Sequence, residues 1–218
     1  MSNNFYEKDQ HKHLNKLNEL APEQAEAFSN FNTEVFKEGA LSKKEKEIIA
    51  VAIAHVTKCP YCIDGHTKQA KAEGATLGEL AEAVMVTAAV EAGGAVTHST
   101  NMQNALAEDA DDALYERSNL NKLSTLGRNA HVGFRGYSTF SGAAMKEGKL
   151  GKKFKEIIAV AVAHATLCPY CIDVHTKNAD KLGATNEALS EAVLVASALL
   201  AGGAYTHMAN MIESYGNV

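Results

Sequence analysis

The chain has 218 residues, 46% of them apolar, 22% charged and 6% aromatic, which suits one or two globular domains and excludes disordered, collagen-like and mucin-like classes. A formal net charge of −5 and a pI near 6 leave no basic footprint for nucleic acid. The longest uncharged apolar stretch, Ala192 to Tyr205, is short for a bilayer and carries Gly202-Gly203, and Met1 to Asp9 hold no apolar secretory segment, so a soluble cytoplasmic protein without a membrane partner is expected.

Strand signals are nearly absent and Ala-rich periodic runs dominate, so the expected class is all-α. Pro22 suits the start of a helix through Phe36; its counterpart in the second half is weakened by Gly133, Gly136 and Gly142. Ser42-x-x-Glu45 is a capping box opening a helix to about Thr57. The equivalent helix spans about Lys152 to Thr166, with Gly151 and Phe154 where the box residues would stand. Pro60 and Pro169 suit the first position of further helices, ending near Gly74 and Gly183. Thr76-x-x-Glu79 caps a longer helix, in which Gly93-Gly94, like Gly202-Gly203 in the second half, marks either a break or a close-packing point.

The chain is a tandem repeat. Shifting it by 109 residues aligns Leu41–Met102 with Leu150–Met211 without a gap, at 40 identities in 62 positions. Two copies are too few for a solenoid, so two similar units, 1–109 and 110–218, are expected to pack as a pseudo-twofold pair. The acidic stretch Glu108 to Asp112 reads as the linker.

All four cysteines fall in matched Cys-Pro-Tyr-Cys motifs, Cys59/Cys62 and Cys168/Cys171, followed by His66 and His175 four residues on. Paired cysteines in a reducing compartment are more often redox-active or metal-binding than structural. With Pro60 at the first helical position, Cys59 becomes the N-cap, where exposed N–H groups and the helix dipole favour thiolate. Cys59, Cys62 and His66 then share one helical stripe, so the His can take a thiol proton while the two thiols close a disulfide after sulfenic acid formation. Glu47 and Glu156, twelve residues before each first cysteine, are placed to orient the His in a Glu–His–Cys relay. The second half loses the capping pair yet keeps Glu156, which favours the functional reading over simple helix-start preference.

Other matched residues carry plainer expectations. His55 and His164 read as hydrogen-bonded core histidines, His98 and His207 as packing or subunit-contact residues. Tyr61 and Tyr170 read as hydrogen-bond donors or wall, Glu82 and Glu191 as helix-surface or interhelical pairing residues, Lys68 and Lys177 as solvated. Zinc is the rival chemistry: Cys59, Cys62 and His66 with His55 or Glu47 are plausible ligands, although structural zinc sites usually draw on two separate clusters. C-type haem is excluded because Ile63 and Ile172, not His, follow the second cysteines.

Glu47-x11-Cys59-Pro-Tyr-Cys62-x3-His66 and its copy Glu156-x11-Cys168-Pro-Tyr-Cys171-x3-His175 resemble the alkylhydroperoxidase D-like branch of the carboxymuconolactone decarboxylase superfamily. The resemblance covers nearly the whole chain, and the wording of the motif is similar to a peroxidase-like subgroup associated with arsenosugar biosynthesis. It implies an all-α bundle assembling as a homotrimer of two-repeat chains, and a thiol peroxidase with no bound cofactor or metal. The second cysteine, Cys62 or Cys171, would attack a hydroperoxide; the first, Cys59 or Cys168, would resolve the sulfenic acid; Glu47 with His66 and Glu156 with His175 would move the protons. A dithiol or protein reductant would complete the cycle. The peroxidase prototype has a His inside its CxxC where this chain has Tyr61 and Tyr170, which keeps disulfide reductase activity open. The lactone-decarboxylating relatives lack the cysteine pair, so decarboxylation ranks low.

Overall fold

The structure, a computed structural model, describes residues 8–98 and 115–216, all helix and connecting turns. The expected linker at Glu108–Asp112 and the boundary at 109/110 lie outside them. After a 3-10 segment at Lys8–Lys16, the first repeat comprises α1 (Leu17–Leu20), α2 (Pro22–Val35), α3 (Lys43–Thr57), α4 (Pro60–Ala72) and α5 (Leu77–His98). The second follows a 3-10 segment at Arg117–Lys122 with α6 (Leu123–Asn129), α7 (His131–Met145), α8 (Lys152–Ala165), α9 (Pro169–Lys181) and α10 (Asn186–Gly216). The order and bounds match the expected helices closely, and α7 forms despite its three glycines.

Helix α3 starts on a complete capping box: Ser42 Oγ accepts the Glu45 N–H and the Glu45 carboxylate accepts the Ser42 N–H. Its copy α8 begins at Gly151 with no side-chain cap. Both helices are buried along their whole apolar run, Ile48 to Ala54 and Ile157 to Ala163, and form the centre of the molecule. The long helices close around them. Helix α5 packs on α3 of its own repeat and on α8 of the other, while α10 packs on α8 and on α3.

By length and composition α5 and α10 are long and apolar enough to cross a membrane, so the length of the Ala192–Tyr205 stretch understates them. Here their apolar residues, Leu80, Ala83, Val86 and Val90 on α5, and Ala192, Val195, Ala196 and Leu199 on α10, fill the shared core. Neither double glycine breaks its helix. At Gly93 the reason is close packing, since a Cβ would stand 2.8 Å from the Tyr137 hydroxyl of α7.

The two repeats are interlocked by a reciprocal clamp. Glu82 on α5 accepts the N–H groups of Lys149 and Leu150 at 2.7 and 2.9 Å and pairs with Lys155 at 2.9 Å. Glu191 on α10 does the same for Ala40, Leu41 and Lys46 of the first repeat, at 2.8, 2.8 and 3.0 Å. Lys46 and Lys155 are each only 3% exposed, so without these carboxylates two buried ammonium groups would lose their counter-charge and keep only backbone carbonyls as partners. Glu82 and Glu191 are therefore half-buried pairing residues, acting between helices and across repeats. Gly39 and Gly148 sit where a Cβ would collide with those carboxylates.

Candidate active site

The cysteine motifs sit at a sharp helix-to-helix corner. Lys58 and Leu167, the residues before each first cysteine, adopt the left-handed conformation at φ 55° and 54°. The N–H groups of Cys59 and Cys168 then reach back to the carbonyls of Ala54 and Ala163 at 3.3 and 3.0 Å. This is a helix-terminating turn of the Schellman type made without glycine, a conformation that ordinary side chains adopt at a cost. It turns the chain so that Cys59 and Cys168 become N-caps of α4 and α9. Each Sγ accepts the N–H of the second cysteine at 3.3 Å.

Cys59 and Cys62 are paired as a disulfide, with Cα atoms 5.3 Å apart, a spacing that suits the bond. Cys168 and Cys171 are free, buried thiols. A hydrogen bond from the Cys171 thiol is the largest influence on Cys168. Burial opposes it, but the Cys171 N–H, Thr97 and the charge of His98 add to it, and the Cys168 thiol is pulled down to about 5. Cys171 is pushed up by that same bond, by burial and by the neighbouring negative charge. The pair thus holds one negative charge, centred on the N-cap sulfur.

Access separates the two sulfurs the other way. Cys168 is 1% exposed and takes no part in the cavity wall, whereas Cys171 is 5% exposed and lines a cavity of about 550 Å³. The first repeat repeats this pattern: Cys62, not Cys59, lines a cavity of about 220 Å³.

The expected relay partners meet. His66 Nδ1 is 2.8 Å from Glu47 Oε2, and His175 Nδ1 is 2.7 Å from Glu156 Oε2. Both carboxylates come from the central helices and both histidines from the cysteine helices, so helix packing alone creates the pair. Glu156 is buried and also accepts a long bond from Asn178 Nδ2 at 3.4 Å. His175 and Glu156 line the same cavity as Cys171, and His66 lines that of Cys62.

Each cavity is composite. Its floor comes from one repeat and one wall from the long helix of the other: Gly93 and Thr97 over Cys171, Gly202, Tyr205 and Thr206 over Cys62. The size difference follows from the sequence. Tyr205 stacks on Phe28 at 4.6 Å and Phe36 on His66 at 5.4 Å in the first site. The residues aligned with Tyr205, Phe28 and Phe36 in the second are Val96, Tyr137 and Met145, which cannot build the same two stacks.

His55 and His164 donate Nδ1–H to the carbonyls of Val51 and Val160, both at 2.7 Å, and stand half-buried beside the core. Tyr170 forms wall and also accepts from the buried Asn119 Nδ2 at 3.0 Å. Lys68 and Lys177 pair with Asp64 and Asp173 at the surface, at 2.6 and 2.7 Å. The ligands considered for zinc are not gathered: among the described residues no three His, Cys, Asp or Glu side chains converge as a metal site. Thr97, Thr206 and Tyr137 join the sites without having been expected there. Thr206 Oγ1 lies 3.4 Å from Cys59 Sγ and Thr97 Oγ1 3.7 Å from Cys168 Sγ. A signal for the threonines exists in the sequence, since both copies retain this Thr beside the matched His98 and His207.

Comparison with known proteins agrees with the helical bundle and the tandem repeat. The model of the carboxymuconolactone decarboxylase family matches residues 22–104 and again 133–214, once in each repeat. The chain belongs to that family. A Paracoccus denitrificans protein known as uncharacterized protein 4 in cox locus is 47% identical over 88 residues, 40% of this chain and 78% of that relative. A crystal structure from Burkholderia xenovorans LB400, provisionally assigned as a gamma-carboxymuconolactone decarboxylase subunit, superimposes with a TM-score of 0.67. It covers 94% of this chain and 90% of its own at 21% identity, a likeness of fold.

Proposed function

We propose that the chain is a thiol peroxidase that reduces a hydroperoxide at both cysteine pairs, with no metal or bound cofactor in the cycle. The observation that carries this reading is the arrangement at Cys171. One of two hydrogen-bonded thiols opens onto a cavity, the other is buried behind it as the more acidic partner, and a Glu–His pair borders the same space.

In the reduced pair the proton lies in a bond from the Cys171 thiol to the Cys168 thiolate. Its shift to Cys168 leaves the charge on Cys171, the sulfur that a substrate reaches. Cys171 Sγ attacks the distal oxygen of the hydroperoxide. The O–O bond breaks, the alcohol leaves with a proton from His175, and sulfur is oxidised to sulfenic acid. His175, held by Glu156, then takes the proton of Cys168, whose thiolate attacks Cys171 Sγ. The S–S bond forms, the S–O bond breaks, and hydroxide leaves as water with that proton. An external dithiol returns two electrons and two protons. Cys62, Cys59, His66 and Glu47 would play the same parts in the first repeat.

The low thiol of the first cysteine is the specific observation that favours the second reading, a disulfide reductase attacking through Cys168. Its 1% exposure argues against it, because a disulfide substrate must reach that sulfur.

The test is a thiol count on fully reduced protein, denatured with chelator, before and after a brief dose of organic hydroperoxide. A fall from four thiols towards none, reversed by dithiol, is expected. Four thiols persisting would overturn the peroxidase reading. We further expect a cytoplasmic homotrimer, which sedimentation of the intact protein and fractionation of cells would test.

A further inference from the structure

Each long helix carries a Thr-His pair, Thr97-His98 on α5 and Thr206-His207 on α10, and both threonines reach across to the other repeat's cysteines. Thr206 Oγ1 stands 3.4 Å from Cys59 and 3.8 Å from Cys62, and Thr97 Oγ1 3.7 Å from Cys168. The histidines follow suit, each meeting the tyrosine inside the opposite motif edge to face: His98 with Tyr170 at 5.9 Å and His207 with Tyr61 at 6.1 Å between ring centres.

We propose that each Thr-His pair is a positioning unit for the cysteines of the opposite repeat, holding the negative charge of the reduced pair on the buried first cysteine. The assignment rests on the dithiol reading of these sites and adds residues that act through the sulfurs rather than on the peroxide.

The chemistry follows from one hydroxyl proton. Thr97 Oγ1 also lies 2.9 Å from the Gly93 carbonyl and 3.2 Å from that of Gly94. While Cys168 is a thiol, the threonine donates to the carbonyl and accepts from sulfur. Once Cys168 is a thiolate, the same hydroxyl turns and donates to it. His98 Nε2 is buried with no hydrogen-bond partner among the described residues, an unusual state for a polar atom beside a redox site. The charge of His98 acts on Cys168 in the direction that favours its thiolate.

The other groups facing Cys168 act from different helices. Cys171 donates from α9, Tyr137 approaches from α7 as a phenol held protonated chiefly by burial, and the His175–Glu156 pair stands across the cavity between α9 and α8. Tyr115 packs against His98 and Tyr170. None of these supplies positive charge from α5, which is what the Thr-His pair adds.

The test is a titration of thiolate absorbance in the ultraviolet on reduced full-length chain carrying Cys59→Ser and Cys62→Ser, so that only the second pair contributes. Thr97→Val and His98→Gln are each expected to raise the midpoint by about half a pH unit or more, about a threefold fall in the thiolate-to-thiol ratio at a fixed pH. Thr97→Ser should restore it, and Thr206→Val, which serves the first pair, should leave it in place. Unmoved midpoints in Thr97→Val and His98→Gln, or an equal movement in Thr206→Val, would overturn the proposal. Because no peroxide is used, its failure is separate from failure of the peroxidase reading.

Discussion

Replacing Glu82 by Gln removes the charge at one end of the clamp between the repeats while keeping the shape. The wild-type carboxylate is opposed by burial, but the N–H groups of Leu150 and Lys149 and the Lys155 ammonium outweigh that and hold it at about 2, against an ordinary 4.5. At 1.36 kcal/mol per pH unit the gap corresponds to about 3 kcal/mol. With 26% of its side chain exposed, water screening reduces this to about 2 kcal/mol. The buried Lys155 keeps its bonds to the carbonyls of Ala144 and Lys146, at 3.1 and 2.8 Å, so the chain still folds. For a protein of this size the expected loss is about 4–8 °C in Tm, read by circular dichroism at pH 7. A carboxylate held below its unfolded value stabilises above about pH 4.5, and that contribution is lost as pH falls towards about 2. The gap between wild type and variant should therefore be full at pH 7 and less than half as large by about pH 3. A Tm within about 1 °C of wild type at pH 7, or a gap that widens on acidification, would refute the reasoning.

Two further outcomes bear on chemistry. Glu156→Gln keeps a hydrogen bond to His175 but removes the charge that orients and supports it. Stopped-flow measurement of disulfide formation at Cys168–Cys171 should then slow about tenfold or more with helix content unchanged, and an unaltered rate would dismiss the relay. The two sites should also differ in substrate size. A chain with only the second pair should accept bulky aryl hydroperoxides across its cavity of about 550 Å³, and one with only the first, at about 220 Å³, should favour small peroxides. Equal kcat/KM ratios in the two variants would show that the cavities do not select.

Much of this protein is legible in its amino-acid sequence. The identical spacing of Glu, CxxC and His in two copies points to the relay because helical periodicity places i, i+3 and i+7 on one stripe wherever the helix packs. The capping box at Ser42, the prolines at helix starts and the cysteine N-caps are local hydrogen-bond chemistry, readable from a few neighbouring residues. The turn that leads into each motif is less so, since Lys58 and Leu167 occupy a backbone region where glycine is the usual sign.

What the sequence could not decide is which repeat serves which site. Glu82 and Glu191 look like helix-surface or interhelical charges, and Thr97 and Thr206 like ordinary threonines, because their partners lie more than sixty positions away in the other copy. Two similar repeats can pack side by side or exchange long helices with the same local patterns. The choice lies in where α5 and α10 bury their apolar faces, a property of the assembled core. So the cysteine chemistry is written in each repeat separately, and the walls, the clamps and the unequal cavities are decided only when the two repeats close on each other.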